Sequence, residues 1–162
     1  MVGSKNKKIM KKLLILLLTV VSLSSYGFIN NSTRYLLFDA EKVQELLKID
    51  DSIEIMIVYL PKHVEYDIFT KDHLKGTVCP SVNGKYVIFL SSELSDTEAE
   101  NTLIHEMTHI SQIIDGRLEY ISGNHVRWKG NSYHKVRYNS PWEVEAEKIT
   151  SIVKSRLKCR CK

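Results

Sequence analysis

The chain has 162 residues, of which 43% are hydrophobic and 26% are charged, so it can form the core of one small domain. Its formal net charge is +4, but residues 1–27 contain five lysines and no acidic residue. The 23 basic residues less these five leave 18 against 19 acidic residues, a net charge of −1 for the remainder. The basic balance belongs to the N-terminal segment, and we therefore expect no binding of nucleic acid.

Residues 1–27 have the pattern of a secretory signal peptide. Five lysines between Lys5 and Lys12 precede an apolar stretch, Leu13–Leu23, which is too short to cross a bilayer comfortably. Ser25-Tyr26-Gly27 then offers small residues for cleavage before Phe28. The pattern predicts that this segment is removed on export.

The remainder, residues 28–162, is predicted to form one domain in the periplasm or outside the cell, with no membrane span after the signal is removed. An uncleaved N-terminal membrane anchor is the alternative interpretation of the same apolar stretch. A second methionine, Met10, opens a basic and then apolar run of its own, so the start of translation is open between Met1 and Met10.

The only cysteines are Cys79, Cys159 and Cys161. In an exported protein, three cysteines can form one disulfide and leave one thiol. Cys159 and Cys161 are separated by a single residue, which suits neither a C-x-x-C zinc knuckle nor a local bridge. We therefore expect a disulfide from Cys79 to one of the C-terminal pair.

The first half of the mature chain alternates between helical and extended patterns. Asp39–Leu47 is predicted to be a short helix, and the β-branched run Ser52–Leu60 to be a strand. A second extended piece at 66–70 is uncertain. Thr77–Gly84 contains a proline and an Asn-Gly pair, which predict a loop, and Lys85–Leu90 is the clearest strand in the chain.

A long helix follows this strand. Ser95 and Glu98 have the spacing of a capping box, and Gly116 is a natural helix end. The apolar residues of the helix fall on one stripe, which predicts the face that packs on the core: Leu103, Met107, Ile110 and Ile114.

The motif His105-Glu106-Met107-Thr108-His109 lies inside this helix, away from the apolar stripe. Two histidines four residues apart project from one helix face, so both imidazoles can bind one metal ion. Glu106 is then placed to take a proton from a water that the metal activates. The alternative is two unrelated histidines on a solvated helix. H-E-x-x-H therefore predicts a zinc site with a general base.

Residues 117–138 are polar and rich in turns, and Lys129-Gly130-Asn131 predicts a hairpin. Ser140-Pro141 then opens a last helix, with proline at the first helical position. Its apolar stripe predicts a second buried face: Trp142, Ala146, Ile149, Val153 and Leu157.

Two residues compete to be the third metal ligand. Asp115 has the position of the last ligand in an extended H-E-x-x-H-x-x-G-x-x-D motif, but Gln112 stands where that motif has its glycine. A continuous helix carries Asp115 about 9 Å along the axis from His109, too far for easy coordination. Glu143 on the last helix is therefore favoured, although a glutamate there can instead complete a capping box with Ser140.

Glu143 belongs to a second motif, Pro141-Trp142-Glu143-Val144-Glu145-Ala146-Glu147, in which we expect Glu145 to project away from the site. With H-E-x-x-H, this motif resembles the gluzincin clan of zinc metallopeptidases, whose second signature is E-x-x-x-D, and especially the small stand-alone minigluzincins. The resemblance covers about residues 85–158. It implies that Glu143 is the third zinc ligand and that Glu147 occupies the aspartate position, which orients a zinc histidine. Glutamate for aspartate at 147 departs from the family pattern.

The elements and the resemblance together predict a small α+β, zincin-like domain, in which a short sheet packs on the H-E-x-x-H helix and a C-terminal helix carries the third ligand. The implied function is a zinc-dependent peptidase that cleaves peptide or protein substrates, with Glu106 as general base. Tyr133, with His134 and Tyr138 as alternatives, is the candidate donor to the oxyanion, although each can instead be a packing or surface residue. Lys85–Leu90 is the candidate edge strand for substrate, with an ordinary core strand as the alternative. The alternative function is an exported, non-catalytic binding module with a structural or vestigial zinc site.

Overall fold

In a computed structural model, the residues described are 40–60, 75–80, 85–122, 125–134 and 139–159, and all of them belong to one compact unit. Over these ranges the protein is a small α+β domain with three helices and two three-stranded sheets, as predicted. The helices are α1 (Ala40–Leu46), α2 (Asp96–Ile114) and α3 (Pro141–Cys159). The strands are β1 (Glu54–Leu60), β2 (Gly76–Pro80), β3 (Lys85–Ser91), β4 (Leu118–Ser122), β5 (His125–Trp128) and β6 (Asn131–Tyr133).

The predicted signal peptide, residues 1–27, and the uncertain extended piece at 66–70 lie outside the described residues. Among the helices that are described, none combines the length and the apolar character needed to cross a membrane.

The first sheet has the strand order β1-β3-β2. β1 runs parallel to β3, from Glu54 opposite Lys85 to Leu60 opposite Ser91, and β2 runs antiparallel to β3. The loop predicted for Thr77–Gly84 is therefore wrong for residues 77–80, which belong to β2. The proline at position 80 indicated a loop. Pro80 is instead the last residue of an edge strand, where its missing N–H removes no ladder hydrogen bond.

β3 is the central strand of this sheet, with buried residues from Tyr86 to Ser91. A central strand has both of its edges paired, so it cannot pair with an extended substrate. The prediction that Lys85–Leu90 offers an edge to substrate is therefore wrong. Within the described part of the chain, the free edges of this sheet belong to β1 and β2.

Helix α2 begins and ends as its sequence predicts. The Glu98 N–H donates to Ser95 Oγ and the Ser95 N–H donates to the Glu98 carboxylate, which completes the capping box. At the other end Gly116 has φ +67°, its N–H donates to the Ile113 carbonyl, and the Arg117 N–H donates to the Gln112 carbonyl. These bonds are those of a Schellman motif, which satisfies the last carbonyls of the helix.

The apolar stripe of α2 packs under the first sheet. Leu103, Met107 and Ile110 are buried in the main core as predicted, together with Ile88 and Leu90 of β3. Ile114 differs from the prediction because it is 39% exposed. Ile113 takes its place at this end of the helix, since it packs against both the main core and the aromatic core described next.

The second sheet is an antiparallel meander, β4-β5-β6. Lys129 and Gly130 both have positive φ, 47° and 82°, which is the geometry of a two-residue hairpin turn and confirms the predicted hairpin. β4 was not predicted, because Leu118–Ser122 is short and has only one buried side chain. The sheet packs through a small core that we call the aromatic core: Leu118, Val126, Trp128 and Trp142.

Helix α3 buries Trp142, Ala146 and Val153, which confirms the predicted stripe. Ala146 is fully buried and has only a methyl group, so α3 can lie close to its main helical neighbour, α2. This packing brings the start of α3 to the middle of α2, where the H-E-x-x-H motif lies.

Candidate metal centre

Three side chains from two helices converge on one point. His105 and His109 project from α2, and Glu143 projects from the first turn of α3. The Nε2 atoms of the two histidines are 3.0 Å apart, and Glu143 Oε2 lies 3.1 Å from Nε2 of His105 and 3.4 Å from Nε2 of His109. This group could hold a metal ion. Asp115, the competing candidate, is not in the group.

The spacing of the three donor atoms fits a tetrahedral ion. Zinc binds imidazole nitrogen and carboxylate oxygen at about 2.0–2.1 Å, so neighbouring ligand atoms of a tetrahedron are about 3.3–3.4 Å apart. The observed separations of 3.0, 3.1 and 3.4 Å are close to this edge length. Three protein ligands also leave one position for water or substrate, as catalytic zinc sites do.

Hydrogen bonds and charges within the site shift the pKa values of Glu143 and His109. Burial by itself would raise the pKa of Glu143, but hydrogen bonds from His105 and His109 outweigh burial and hold the pKa at about 2. Burial by itself would lower the pKa of His109, but the hydrogen bond to Glu143 and the charge of Glu106 raise it above its ordinary value. Metal binding at Nε2 of His109 therefore competes with protonation of the imidazole.

Gln112 fixes the orientation of His109. Its side-chain oxygen lies 2.9 Å from His109 Nδ1, so Nδ1–H donates to Gln112 and Nε2 is left to face the metal centre. The Gln112 amide nitrogen donates to the Trp142 carbonyl and to the Glu145 carboxylate. In the sequence, Gln112 was considered only as the residue that replaces the glycine of the extended motif. Its position three residues after His109, on the same helix face, could have suggested this bond.

Glu145, which was predicted to project away from the site, is not in the group that could hold a metal ion. Its carboxylate accepts hydrogen bonds from Gln112 and Arg117, which lie at the end of α2, and from Lys129. The first turn of α3 lies beside the end of α2, so Glu145 faces these donors. The ion pair of Arg117 with Asp115 belongs to the same cluster, in which Asp115 is the C-cap of α2.

Glu147 lies close to His105 but does not hydrogen-bond to it. Glu147 Oε1 is 3.9 Å from His105 Nδ1, and its side chain is 76% exposed. This distance is longer than a hydrogen bond. The role predicted for Glu147, orienting a zinc histidine, stays a prediction.

Glu106 is buried beside the three candidate ligands. Burial raises the pKa of its carboxyl group above the ordinary value, and the positive charges of His109 and His105 offset part of that rise. The carboxylate also accepts a hydrogen bond from the backbone N–H of Val78 in the edge strand β2. The sheet edge therefore holds this carboxylate in position.

The aromatic and histidine candidates of the connecting segment have other contacts. The Tyr133 ring packs edge-on against Trp142 with centroids 5.3 Å apart, at the border of the aromatic core. His134 stacks on His125, with centroids 4.5 Å apart. Tyr138 lies outside the described residues. The predicted role of Tyr133 as oxyanion donor stays a prediction.

Tyr120, on β4, is a residue that sequence reasoning missed. Its side chain is 43% exposed, but desolvation by the protein around the phenol and the charges of Glu143 and Glu106 raise the pKa of the phenol above the ordinary value. The hydroxyl is therefore protonated at neutral pH and able to donate a hydrogen bond. The signal in the sequence is positional, because β4 follows directly from the end of the motif helix.

Cys79 has a free thiol on β2. Burial raises the pKa of this thiol, and the charge of Glu106 raises it further. The side chain packs against the buried cluster of Leu60, Val87 and Phe89. The predicted disulfide from Cys79 to Cys159 or Cys161 is not present. Cys159 ends α3, about 24 Å along the helix from Glu143, whereas a disulfide needs Cα atoms within about 7 Å.

A cleft of about 480 Å³ opens beside the metal centre. It lies between α2, α3 and the start of β2, and His105 and Glu106 are at its inner end. Gly76 allows β2 to lie this close to α2, because a Cβ there would be 2.6 Å from the Thr102 Cγ2.

Comparison with known proteins identifies no relative of this chain. The chain matches no family model, no curated protein and no solved structure. The predicted relation to gluzincins therefore stays a prediction, which rests on the two sequence motifs at residues 105–109 and 143–147.

Proposed function

We propose that this protein is a zinc-dependent peptidase of the gluzincin type. The observation that supports the proposal most is the convergence of His105, His109 and Glu143 at tetrahedral spacing, with the Glu106 carboxylate beside them. A structural zinc site has no need of a buried carboxylate next to its ligands. A peptidase site requires one.

Zinc is the metal we propose for this donor set. Two imidazoles and one carboxylate also suit non-haem iron(II), so the ligand types alone leave two candidates. The pairing of the set with Glu106 in H-E-x-x-H favours zinc, because that motif supplies both ligands and base to metallopeptidases. When bound, zinc supplies a Lewis acid that polarises the scissile carbonyl and acidifies water.

The side chains of the protein supply the proton transfers. Glu106 takes a proton from the attacking water and returns it to the leaving amine. A raised pKa suits both steps, since the carboxylate must accept a proton near neutral pH and then give it up. The Val78 N–H keeps the carboxylate aimed at the centre while this happens.

Two further groups serve the substrate in this proposal. An extended peptide can pair with the edge strand β2, which lies along α2 beside Glu106. A protonated phenol, from Tyr120 or from the predicted Tyr133, donates to the oxyanion that forms on the scissile carbonyl.

The predicted signal peptide puts this activity outside the cytoplasm. The sequence determined from the N-terminus of the exported protein should therefore begin near Phe28.

Metal analysis and a hydrolysis assay test the proposal. The purified mature protein should contain one zinc per chain and cleave members of a broad peptide library. A chelator should abolish cleavage and added zinc should restore it, whereas His109→Ala should stay inactive with or without zinc. Iron instead of zinc, or cleavage that a chelator does not reduce, would contradict the proposal.

A further inference from the structure

The cleft beside the metal centre is polar along its whole length. Among the described residues, every one that lines it has a polar or charged side chain, except Gly76. The aliphatic parts of these side chains contribute apolar surface to the walls, while their head groups are polar. The cleft can therefore recognise a bound group by hydrogen bonds and charge.

Two antiparallel helices form the walls of the cleft. From His105 the α2 wall runs back to Glu98, and from Glu147 the α3 wall runs forward to Lys154. Each path covers seven residues, or roughly 10 Å at about 1.5 Å per residue. An extended peptide advances about 3.3 Å per residue, so its third residue from the metal centre reaches the outer end.

The cations of the cleft differ in whether they already have a partner. Lys75 donates to Glu98 at 2.9 Å, so its charge is neutralised within the protein. Lys154 is half-buried at the outer end of the α3 wall and has no acidic partner among the residues that the structure describes. A lysine head group without a counter-ion can pair with an anion from outside.

Among the remaining polar groups of the cleft, the Glu147 carboxylate is exposed near the metal centre, at the end of the α3 wall opposite to Lys154. The Thr150 and Ser151 hydroxyls donate to carbonyl groups of their own helix. In the described part of the chain, the side-chain oxygen of Asn101 is buried and has no hydrogen-bond partner. Asn101 lies four residues before His105 on the α2 wall, but this oxygen is closed to solvent and therefore does not take part in the subsite.

We propose that this cleft is a subsite for a carboxylate of the substrate, about three residues from the scissile bond, and that Lys154 binds it. This inference rests on the proposed peptidase function. The carboxylate comes either from an acidic side chain or from the C-terminus of the peptide, and the two sources share the same chemistry.

Peptide series test the subsite. In one series Glu, Gln or Lys occupies each position in turn, and each peptide is made with a free or an amidated C-terminus. The zinc-loaded protein should cleave the Glu peptide about fivefold faster than the Gln peptide at one position, the usual scale of a partly exposed ion pair. If the C-terminus is the natural anion, amidation should cause the loss instead.

Variants of α3 link the preference to one side chain. Lys154→Ala should remove the difference between Glu and Gln peptides, and Lys154→Glu should make the Lys peptide the better substrate. Lys148→Ala is the matched control, because Lys148 is an exposed lysine on the same helix that does not line the cleft. It should keep the preference of the wild type.

Binding measurements separate the subsite from the peptidase activity. Fluorescence anisotropy with the zinc-loaded Glu106→Gln variant should show tighter binding of the Glu peptide, and Lys154→Ala in that background should abolish the difference. If no peptide is cleaved but this binding pattern appears, the peptidase function fails and the subsite stands. If Glu and Gln peptides are cleaved and bound equally, or if Lys154→Ala leaves their ratio unchanged, the subsite is overturned.

Discussion

The side-chain oxygen of Gln112 lies 2.9 Å from Nδ1 of His109, and the amide nitrogen of the same Gln112 donates to the carbonyl of Trp142. One buried side chain thus orients a candidate metal ligand on α2 and also holds the start of α3. Glu143, the ligand that α3 contributes, is the next residue after Trp142. The position of the third donor atom therefore depends on Gln112.

Gln112→Ala should weaken zinc binding by about 10- to 100-fold, the usual effect of losing the hydrogen-bond partner of a metal-bound histidine. Gln112→Glu keeps an acceptor for Nδ1–H but loses the donor to Trp142 and brings a carboxylate next to Glu145. It should therefore lower stability while retaining more zinc affinity than Gln112→Ala. Competition with a zinc chelator and chemical denaturation measure the two effects separately. Equal zinc affinity in wild type and Gln112→Ala would show that Gln112 does not orient the ligand.

The ligand assignment predicts which variants lose metal. His105→Ala and His109→Ala should abolish zinc binding, and Glu143→Ala should weaken it, because each removes one of three converging donors. Asp115→Ala is the control and should retain zinc, since Asp115 caps α2 and pairs with Arg117 instead. Elemental analysis of the purified variants gives the answer. Loss of zinc in Asp115→Ala with retention in Glu143→Ala would reverse the assignment and favour the extended motif.

Local signals predicted the parts of this site that lie on one helix. The capping box at Ser95, the stop at Gly116 and the i, i+4 spacing of His105 and His109 are all properties of a few consecutive residues. Glu143 was harder, because its approach to the histidines depends on how α3 crosses α2. The sequence offered only the small Ala146 and a family resemblance to indicate that crossing.

The expectations that failed concern pairing between distant segments. Thr77–Pro80 looks like a loop by itself and becomes a strand because β3 pairs with it. The same pairing moves the free sheet edge from β3 to β2, which reverses the edge expected to receive substrate. This pairing also holds Cys79 on β2, where its thiol is free instead of forming the expected disulfide. Local sequence patterns contain none of this information.

Gly76→Ala should destabilise the protein by about 1–3 kcal/mol, the usual cost of inserting a methyl group into a packed region. The added Cβ would lie 2.6 Å from Thr102 Cγ2 and 3.0 Å from Leu90 Cδ2. Thr102→Ser removes the nearer methyl group, so the double variant should be less destabilised than the sum of the two single changes. Urea denaturation of all four proteins completes the cycle. Strict additivity would mean that β2 moves away from α2 instead of clashing with it.

Acid should reduce the contribution of Glu98 to stability. Hydrogen bonds from Lys75 and Ser95 hold the pKa of Glu98 at about 2, below its ordinary value of 4.5. A lowered pKa in the folded state means that the ionised group stabilises the fold above about pH 4.5 and that this stabilisation is lost as the pH falls toward 2. The difference in free energy of unfolding between wild type and Glu98→Gln should therefore be constant near neutrality and shrink in that range. Lys75→Ala should keep part of the dependence, because Ser95 still donates; a difference that does not vary with pH would contradict this account.

The claim of catalysis depends on Glu106. Glutamine has nearly the same shape and can still accept a hydrogen bond from the Val78 N–H, but it cannot take up a proton at neutral pH. Glu106→Gln should therefore keep the fold and one zinc per chain, while peptide hydrolysis falls by a factor on the order of 10² or more, the scale of general-base loss. Zinc analysis and thermal unfolding serve as controls in the same preparation. If wild type and Glu106→Gln are equally inactive across a broad peptide library, with zinc bound in both, the peptidase proposal fails and the alternative of a non-catalytic zinc-binding module takes its place.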